Sequence, residues 1–190
     1  MGRELISPEL VDRCKAGDET AWRELVEATH REVYTLCLRI LRDPDDAAEA
    51  TQDAYLKAWK ALGGFRGEAM FTTWLYRVAA NTAISKHRTR ARRRTHEIGI
   101  GDEVLGQIAA SGSAETAATS RIEVAELERA IARLPEHYRT AVVLRDVYGL
   151  GIEEIAKQQR ISATAAKVRV HRGRKKLKEL VYPETTQEGE

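Results

Sequence analysis

The sequence predicts an all-α protein made of two small helical domains joined by a flexible linker. Three observations carry this. Apolar residues recur at helical spacing through most of the chain. Aromatics make up 6 % of the 190 residues and prolines number four, whereas the helix formers Ala, Leu, Glu, Arg and Lys are abundant. Residues 95–120 (THEIGIGDEVLGQIAASGSAETAATS) then abandon the pattern for Gly, Ala, Ser and Thr, with four acids and neither Lys nor Arg. That is the composition of a flexible or extended linker.

The first domain spans 7–94. Ser7 stands as a capping residue ahead of Pro8 at the first helical position, and Leu10, Val11 and Cys14 follow. Gly17-Asp18 ends that helix. A second runs from about Thr20 to Leu41 on Trp22, Leu25, Val26, Val33, Leu36, Cys37 and Ile40. Proline in Asp43-Pro44-Asp45 cannot continue it, so a third helix starts near Asp46 and reaches Leu62. It carries an alanine stripe (Ala47, Ala50, Ala54, Ala58) and, on its other side, Glu49, Gln52, Asp53 and Lys57. The glycines of Gly63-Gly64-Phe65-Arg66-Gly67 demand a loop. A fourth helix, about Met70 to Arg93, is aromatic first and basic afterwards.

The second domain spans 121–181. Arg121–Leu134 is amphipathic through Ile122, Ala125, Leu127, Ile131 and Leu134. Pro135 closes it and opens a helix holding Tyr138, Val142, Val143, Leu144 and Val147. After a turn at 148–151, Ile152, Ile155 and Ala156 mark a short helix and 159–162 a tight turn. Ser162 caps a last helix, and Ile161, Ala165, Val168 and Leu177 can face inward. The polar tail, 182–190, is expected to be disordered.

The formal net charge is only +2, but it is unevenly placed. Residues 1–60 carry thirteen acids against nine bases. The window 84–94 (ISKHRTRARRR) holds six Lys/Arg and no acid, and 164–178 holds seven and none. Such segregation is the footprint of a polyanion partner. Cys14 and Cys37 lie far apart without a CxxC, so no disulfide scaffold is indicated and a reducing, cytoplasmic setting fits. Cys37 reads as a core residue. Five histidines lack metal-ligand spacing, and no metal or cofactor is expected. No signal segment or membrane-spanning run is present, so no membrane insertion is expected. Without a P-loop, a paired-carboxylate site or a Cys/His nucleophile, the sequence argues against an enzyme.

Two constellations carry function. Residues 150–177 have the form of a helix-turn-helix, in which the small Ala156 allows a close crossing. Lys167, Arg169, Arg172, Arg174 and Lys175 are left on or near the outward face, with His171 beside them. A helix so placed enters a major groove, and arginine can pair bidentately with guanine. The second constellation starts at the glycine loop with Phe65 and passes through Phe71, Trp74, Tyr76 and Asn81 into the basic run with Lys86 and Arg88. Aromatics beside a basic track suit unstacked bases. A base swung out of the stack needs an apolar wall and a polar group for its edge, which Phe65 and Asn81 can supply.

On these segments the chain resembles the sigma factors of RNA polymerase, in the small extracytoplasmic-function group that keeps only the second and fourth conserved regions. The resemblance rests on DAAEATQDAYLKAWKAL (46–62), FRGEAMFTTWLYRVAANTAISKHR (65–88) and LPEHYRTAVVLRDVYGLGIEEIAKQQRISATAAKVRVHRGRKKL (134–177), in the family's order and spacing. It implies that 7–94 is region 2 and 121–181 is region 4. It implies core RNA polymerase as partner, through the largest subunit's clamp helices and the flap, with Glu49, Gln52 and Asp53 at the clamp contact. It implies promoter DNA as a second partner. Phe65, Asn81, Lys86 and Arg88 would serve a melted −10 element, and Lys167, Arg169, His171 and Arg172 a duplex −35 element. The acidic linker resembles the connector that runs toward the RNA exit path, and an anti-sigma factor is an implied regulator.

Several positions depart from the family's usual pattern. Ala50 stands where an aspartate is common, which would weaken one polymerase contact. Ser85 replaces a frequent aspartate. Ala165 and Val168 replace hydroxyl residues at the start of the recognition helix. Arg160 fills a turn position often held by glycine, where a left-handed backbone would cost on the order of 1 kcal/mol. A stand-alone helix-turn-helix regulator would also explain 150–177, but it gives Phe65, Asn81 and the polar side of 46–62 no role.

Overall fold

A computed structural model describes the backbone of residues 6–97 and 116–183, with side chains over 6–90 and 123–183. Among the described residues there are helices and turns but no strand, in two compact units.

The first unit contains α1 (Pro8–Lys15), α2 (Glu19–Leu41), α3 (Pro44–Ala61) and α4 (Phe71–Glu97). Each of the first three begins on a side-chain cap that satisfies amide groups otherwise left unbonded. The Ser7 hydroxyl accepts from Leu10 N at 3.2 Å. One Asp18 carboxylate oxygen accepts from Thr20 N and Ala21 N, and Asp43 does the same for Asp45 N and Asp46 N. These caps start α2 at Glu19 and α3 at Pro44, slightly earlier than the apolar spacing indicates. Between α2 and α3, Arg42 turns the chain with φ +58°.

The alanine stripe of α3 explains how the bundle closes. Ala47, Ala50, Ala54 and Ala58 are all fully buried, so α3 approaches its neighbours closely, with Leu25, Val33, Leu36, Cys37 and Leu75 filling the interior. Cys37 is a core residue, as its spacing indicates, and burial pushes its thiol up to about 11. The Tyr55 hydroxyl reaches Thr29 Oγ1 at 2.8 Å, and Thr29 in turn donates to the Leu25 carbonyl.

The second unit contains α5 (Thr116–Arg133), α6 (Glu136–Val142), a π-helical turn (Val143–Val147), α7 (Ile152–Gln159) and α8 (Ala163–Val181). Its core is Ile131, Leu134, Val142, Val143, Leu144, Ile155 and Val170. Among the described side chains of α5, burial is confined to its last turns. Ala130, Ile131 and Leu134 are buried, whereas Leu127, expected on the inner side, is 42 % exposed. Arg139 is buried and donates to the carbonyls of Ala132, in the last turn of α5, and of Leu134, just after it, where a cation also suits the helix dipole.

Two expected boundaries move. Helix α4 continues to Glu97 and α5 begins at Thr116, so helix enters the stretch assigned to the linker from both sides. The rest of that linker, the tail beyond residue 183 and the side chains of Arg92, Arg93 and Arg94 lie outside the described residues.

Candidate nucleic-acid interfaces

The second unit presents the more regular of the two interfaces. Helix α7 ends on Arg160, whose backbone is left-handed (φ +54°) and whose N–H bonds back to the α7 carbonyls of Ala156 and Lys157. Two residues later Ser162 starts α8, its hydroxyl accepting from Ala165 N at 3.1 Å. The strain anticipated at Arg160 is therefore present, and it permits the tight turn.

Helix α8 is oriented by its smallest residue. A Cβ added to Gly173 would lie 2.6 Å from Val142 Cγ2 and 3.2 Å from the Tyr138 carbonyl oxygen, so α8 and α6 are in near backbone contact there. The buried side of α8 is Ala166, Val170 and Gly173. This corrects the expected inward face. Ile161, Ala165 and Leu177 are half-buried, and Val168 is 41 % exposed. A sequence pattern weights large apolar residues, whereas close helix contact selects small ones.

Of the four residues assigned to duplex reading, Lys167, His171 and Arg172 are exposed. Arg169 is half-buried and donates to Gln159 Oε1 at 2.5 Å. Arg174 is engaged elsewhere, gripping both Asp146 carboxylate oxygens through Nε (2.9 Å) and Nη2. A groove of about 330 Å³ runs between α6 and α8, lined by His137, Tyr138, Ala165, Val168, Arg169 and Arg172. His137 was not foreseen. Partial burial, and then the Arg169 charge, lower its pKa below the ordinary imidazole value.

In the first unit, the loop between α3 and α4 turns through Gly67 at φ +75°. Phe65 lies edge-on to Phe71 (5.5 Å) and tilted against Trp74 (5.4 Å), with Lys15 Nζ 5.3 Å from its ring centre. A cavity of about 270 Å³ opens there, lined by Phe65, Arg66, Glu68, Trp74 and Arg77 together with Gly64 and Ala69. Phe65 thus forms one wall of this cavity. Asn81 is exposed but is not among the lining residues. It lies one turn beyond Arg77 on α4, so the polar residue that this helix face brings into the cavity is Arg77. The spacing of Trp74, Arg77 and Asn81 along one helix face was the signal for this.

The basic run and the acidic side of α3 also meet. Lys86 Nζ lies 2.5 Å from Glu49 and 3.4 Å from Asp46. Arg90 pairs with Asp43 at 3.0 Å and with Asp46. Partial burial opposes the Lys86 charge, but the hydrogen bond to Glu49 and the field of Asp46 outweigh it, and its pKa is raised. Arg88 is half-buried on α4. A residue assigned to DNA and one assigned to polymerase are therefore ion-pair partners, a pairing between distant segments that no local pattern reports.

Glu49, Gln52 and Asp53 are all exposed on α3. Leu56, one turn further on the same face and overlooked in the sequence, is 59 % exposed. Ala50 is fully buried, which corrects the expectation that it weakens a partner contact: that position faces the bundle. Among the described residues no group of three His, Cys, Asp or Glu side chains is placed to hold a metal ion, and no helix is long and apolar enough to cross a membrane.

Comparison with known proteins agrees with this organisation. The family model for sigma-70 region 2 matches residues 25–93, and that for sigma-70 region 4 matches 125–177. The chain is 34 % identical to the RNA polymerase sigma-H factor of Pseudomonas aeruginosa, over 92 % of this chain and 93 % of that protein. It is 30 % identical to the ECF RNA polymerase sigma factor SigW of Bacillus subtilis (92 % and 96 %). With the ECF RNA polymerase sigma-E factor of Escherichia coli the figure is 33 % (96 % and 98 %). Among solved structures, the fold resembles that of the sigma factor RpoE in complex with the anti-sigma factor NepR from Bartonella quintana. That match has a TM-score of 0.61 at 21 % identity, over 85 % of this chain and 97 % of that one. It also resembles CnrH in complex with the cytosolic domain of CnrY, with a TM-score of 0.57 at 22 % identity, over 92 % and 96 %.

Proposed function

The chain belongs to the sigma-70 family of RNA polymerase sigma factors, in its extracytoplasmic-function group, and we propose that it directs core polymerase to promoters by reading two separated elements in two physical states. Helix α8 reads the −35 element as closed duplex. The loop and helix around Phe65 receive the −10 element as an opened strand.

The observation that carries the reading is the cationic face of α8. Lys167, His171 and Arg172 stand exposed on a helix whose other side is locked at Gly173. A rigidly held helix with outward cations suits major-groove docking, with Arg172 to a base edge and Lys167 to phosphate. At the other element, Phe65 and Trp74 offer stacking surfaces and Arg77 a donor within one cavity, a composition suited to an extruded base. Asn81, on the next turn, meets the strand as it leaves that cavity. On α3, Glu49, Gln52, Asp53 and Leu56 form the surface for the clamp helices of the polymerase's largest subunit, and the second unit engages the flap. The solved relatives that contain an anti-sigma factor or a cytosolic partner domain support an anti-sigma regulator here too.

Run-off transcription with purified core polymerase tests the proposal. The full chain should bind core and start transcripts at discrete genomic sites. Tight duplex binding by the protein alone, with no affinity for core, would make it a stand-alone regulator instead. Arg172→Ala should cost about 1–3 kcal/mol in a manner that depends on the −35 sequence; a uniform loss reassigns it to phosphate. Arg77→Ala and Asn81→Ala should each reduce permanganate reactivity of the opened strand more than closed-complex binding.

A further inference from the structure

Within the cationic face of α8 lies a small apolar patch. Val168 is 41 % exposed and stands one turn after Ala165 and one turn before Arg172 on the same face. Both apolar residues line the groove of about 330 Å³ between α6 and α8. A single exposed valine is ordinary on a protein surface. This one occupies the centre of a face whose other members are Lys167, Arg169, His171 and Arg172, where a side chain without hydrogen-bonding capacity contributes nothing to phosphate affinity.

Resting on the duplex-reading role of α8 set out above, we infer that Val168, backed by Ala165, is a specificity-determining residue that recognises a thymine through its C5-methyl group in the −35 element. The base edges exposed in a major groove are donors and acceptors, with one apolar exception, the thymine methyl. A valine methyl meeting a thymine methyl removes both from water, and the groove supplies a concave seat beside Ala165. His137 lies on the α6 wall of the groove, its pKa lowered by partial burial and by the nearby Arg169 charge.

Deoxyuridine provides the test, because it deletes the methyl and leaves every hydrogen bond in place. The holoenzyme first enriches −35 sequences from a random library. Each thymine of the enriched element is then replaced singly by deoxyuridine, and binding of the full-length protein in holoenzyme is measured at one salt concentration. One replacement should weaken binding by about fourfold, the effect of exposing one methylene-sized group. Val168→Ser should abolish that particular sensitivity, and Val168→Thr, which keeps one methyl, should retain most of it. Binding indifferent to every deoxyuridine, an enriched element without thymine, or an undiminished penalty in Val168→Ser would each overturn the inference while leaving α8 a duplex reader. A library that enriches no −35 element overturns the duplex-reading premise and the inference with it.

Discussion

Gly173→Ala puts the docking of α6 against α8 to a direct test. The new Cβ would lie 2.6 Å from Val142 Cγ2, against an ordinary carbon–carbon contact of roughly 3.5–4.0 Å, so the helices must part by about 1 Å. The other near atoms, the Tyr138 carbonyl oxygen at 3.2 Å and Tyr138 Cβ at 3.3 Å, belong to the α6 backbone or its root and cannot swing away. Alanine gains about 1 kcal/mol of helix propensity over glycine. Overpacking a filled interior costs about 1–3 kcal/mol, and with backbone among the clashing atoms the upper half of that range applies. The net effect is a loss of about 1–2 kcal/mol, with each kcal/mol lowering the melting midpoint by roughly 4–8 °C in a unit this small. Tryptophans 22, 59 and 74 all lie in the first unit. The loss should therefore appear in the helical circular dichroism signal and leave the tryptophan transition in place. Adding Val142→Ala should recover at least about 0.5 kcal/mol relative to additivity. An unchanged or raised midpoint in Gly173→Ala would show that propensity outweighs the contact, and the close-approach account of α8 would be wrong.

Other consequences are open to measurement. Arg160→Gly relieves a left-handed residue worth about 1–2 kcal/mol, offset by roughly 0.5–1 kcal/mol of glycine entropy. The second unit should gain up to about 1 kcal/mol, and a lower midpoint contradicts the strain. Ser162→Ala removes the cap of α8 and should cost about 1 kcal/mol, which Ser162→Asp restores. The Asp46 N–H and then Arg90 hold the Asp43 carboxyl below the ordinary aspartate range. Its contribution is complete above about pH 4 and declines as pH falls through the lowered value. The tryptophan-monitored midpoint should drop over that interval, and less steeply in Asp43→Asn. Glu49→Gln removes the shorter of the two Lys86 ion pairs, leaving Asp46, and should tighten single-stranded DNA binding by the chain, with a salt slope steeper by up to about 0.7. Asp53→Asn, outside the ion-pair cluster, serves as control; an equal gain there means the effect is net charge alone.

Much of the fold was legible because helix signals are local. The Ser7–Pro8 start, the break at Gly17, the alanine stripe of α3 and the Ser162 cap each depend on a few consecutive residues, and all recur in the structure. Asp18 and Asp43 were overlooked as caps because they sit next to turn residues that looked sufficient by themselves. Leu127 and Val168 were misplaced for a different reason. Periodicity says that an apolar face exists, but the area a neighbour covers depends on where that neighbour ends.

The functional segments show the same division. Residue types, their order and the two basic runs were determined by the sequence alone, and these sufficed to recognise the family. Which groups share a cavity, which cations are bound by acids, and which residue lets α8 press against α6 were decided only in three dimensions. Phe65 and Arg77 line one cavity, Lys86 meets Glu49, Arg174 meets Asp146 and Gly173 lies against Val142. Each brings together residues well apart along the chain. Charge and size are properties of a residue, whereas distance is a property of the packed chain, and ion pairing and close approach both fall off within a few ångströms.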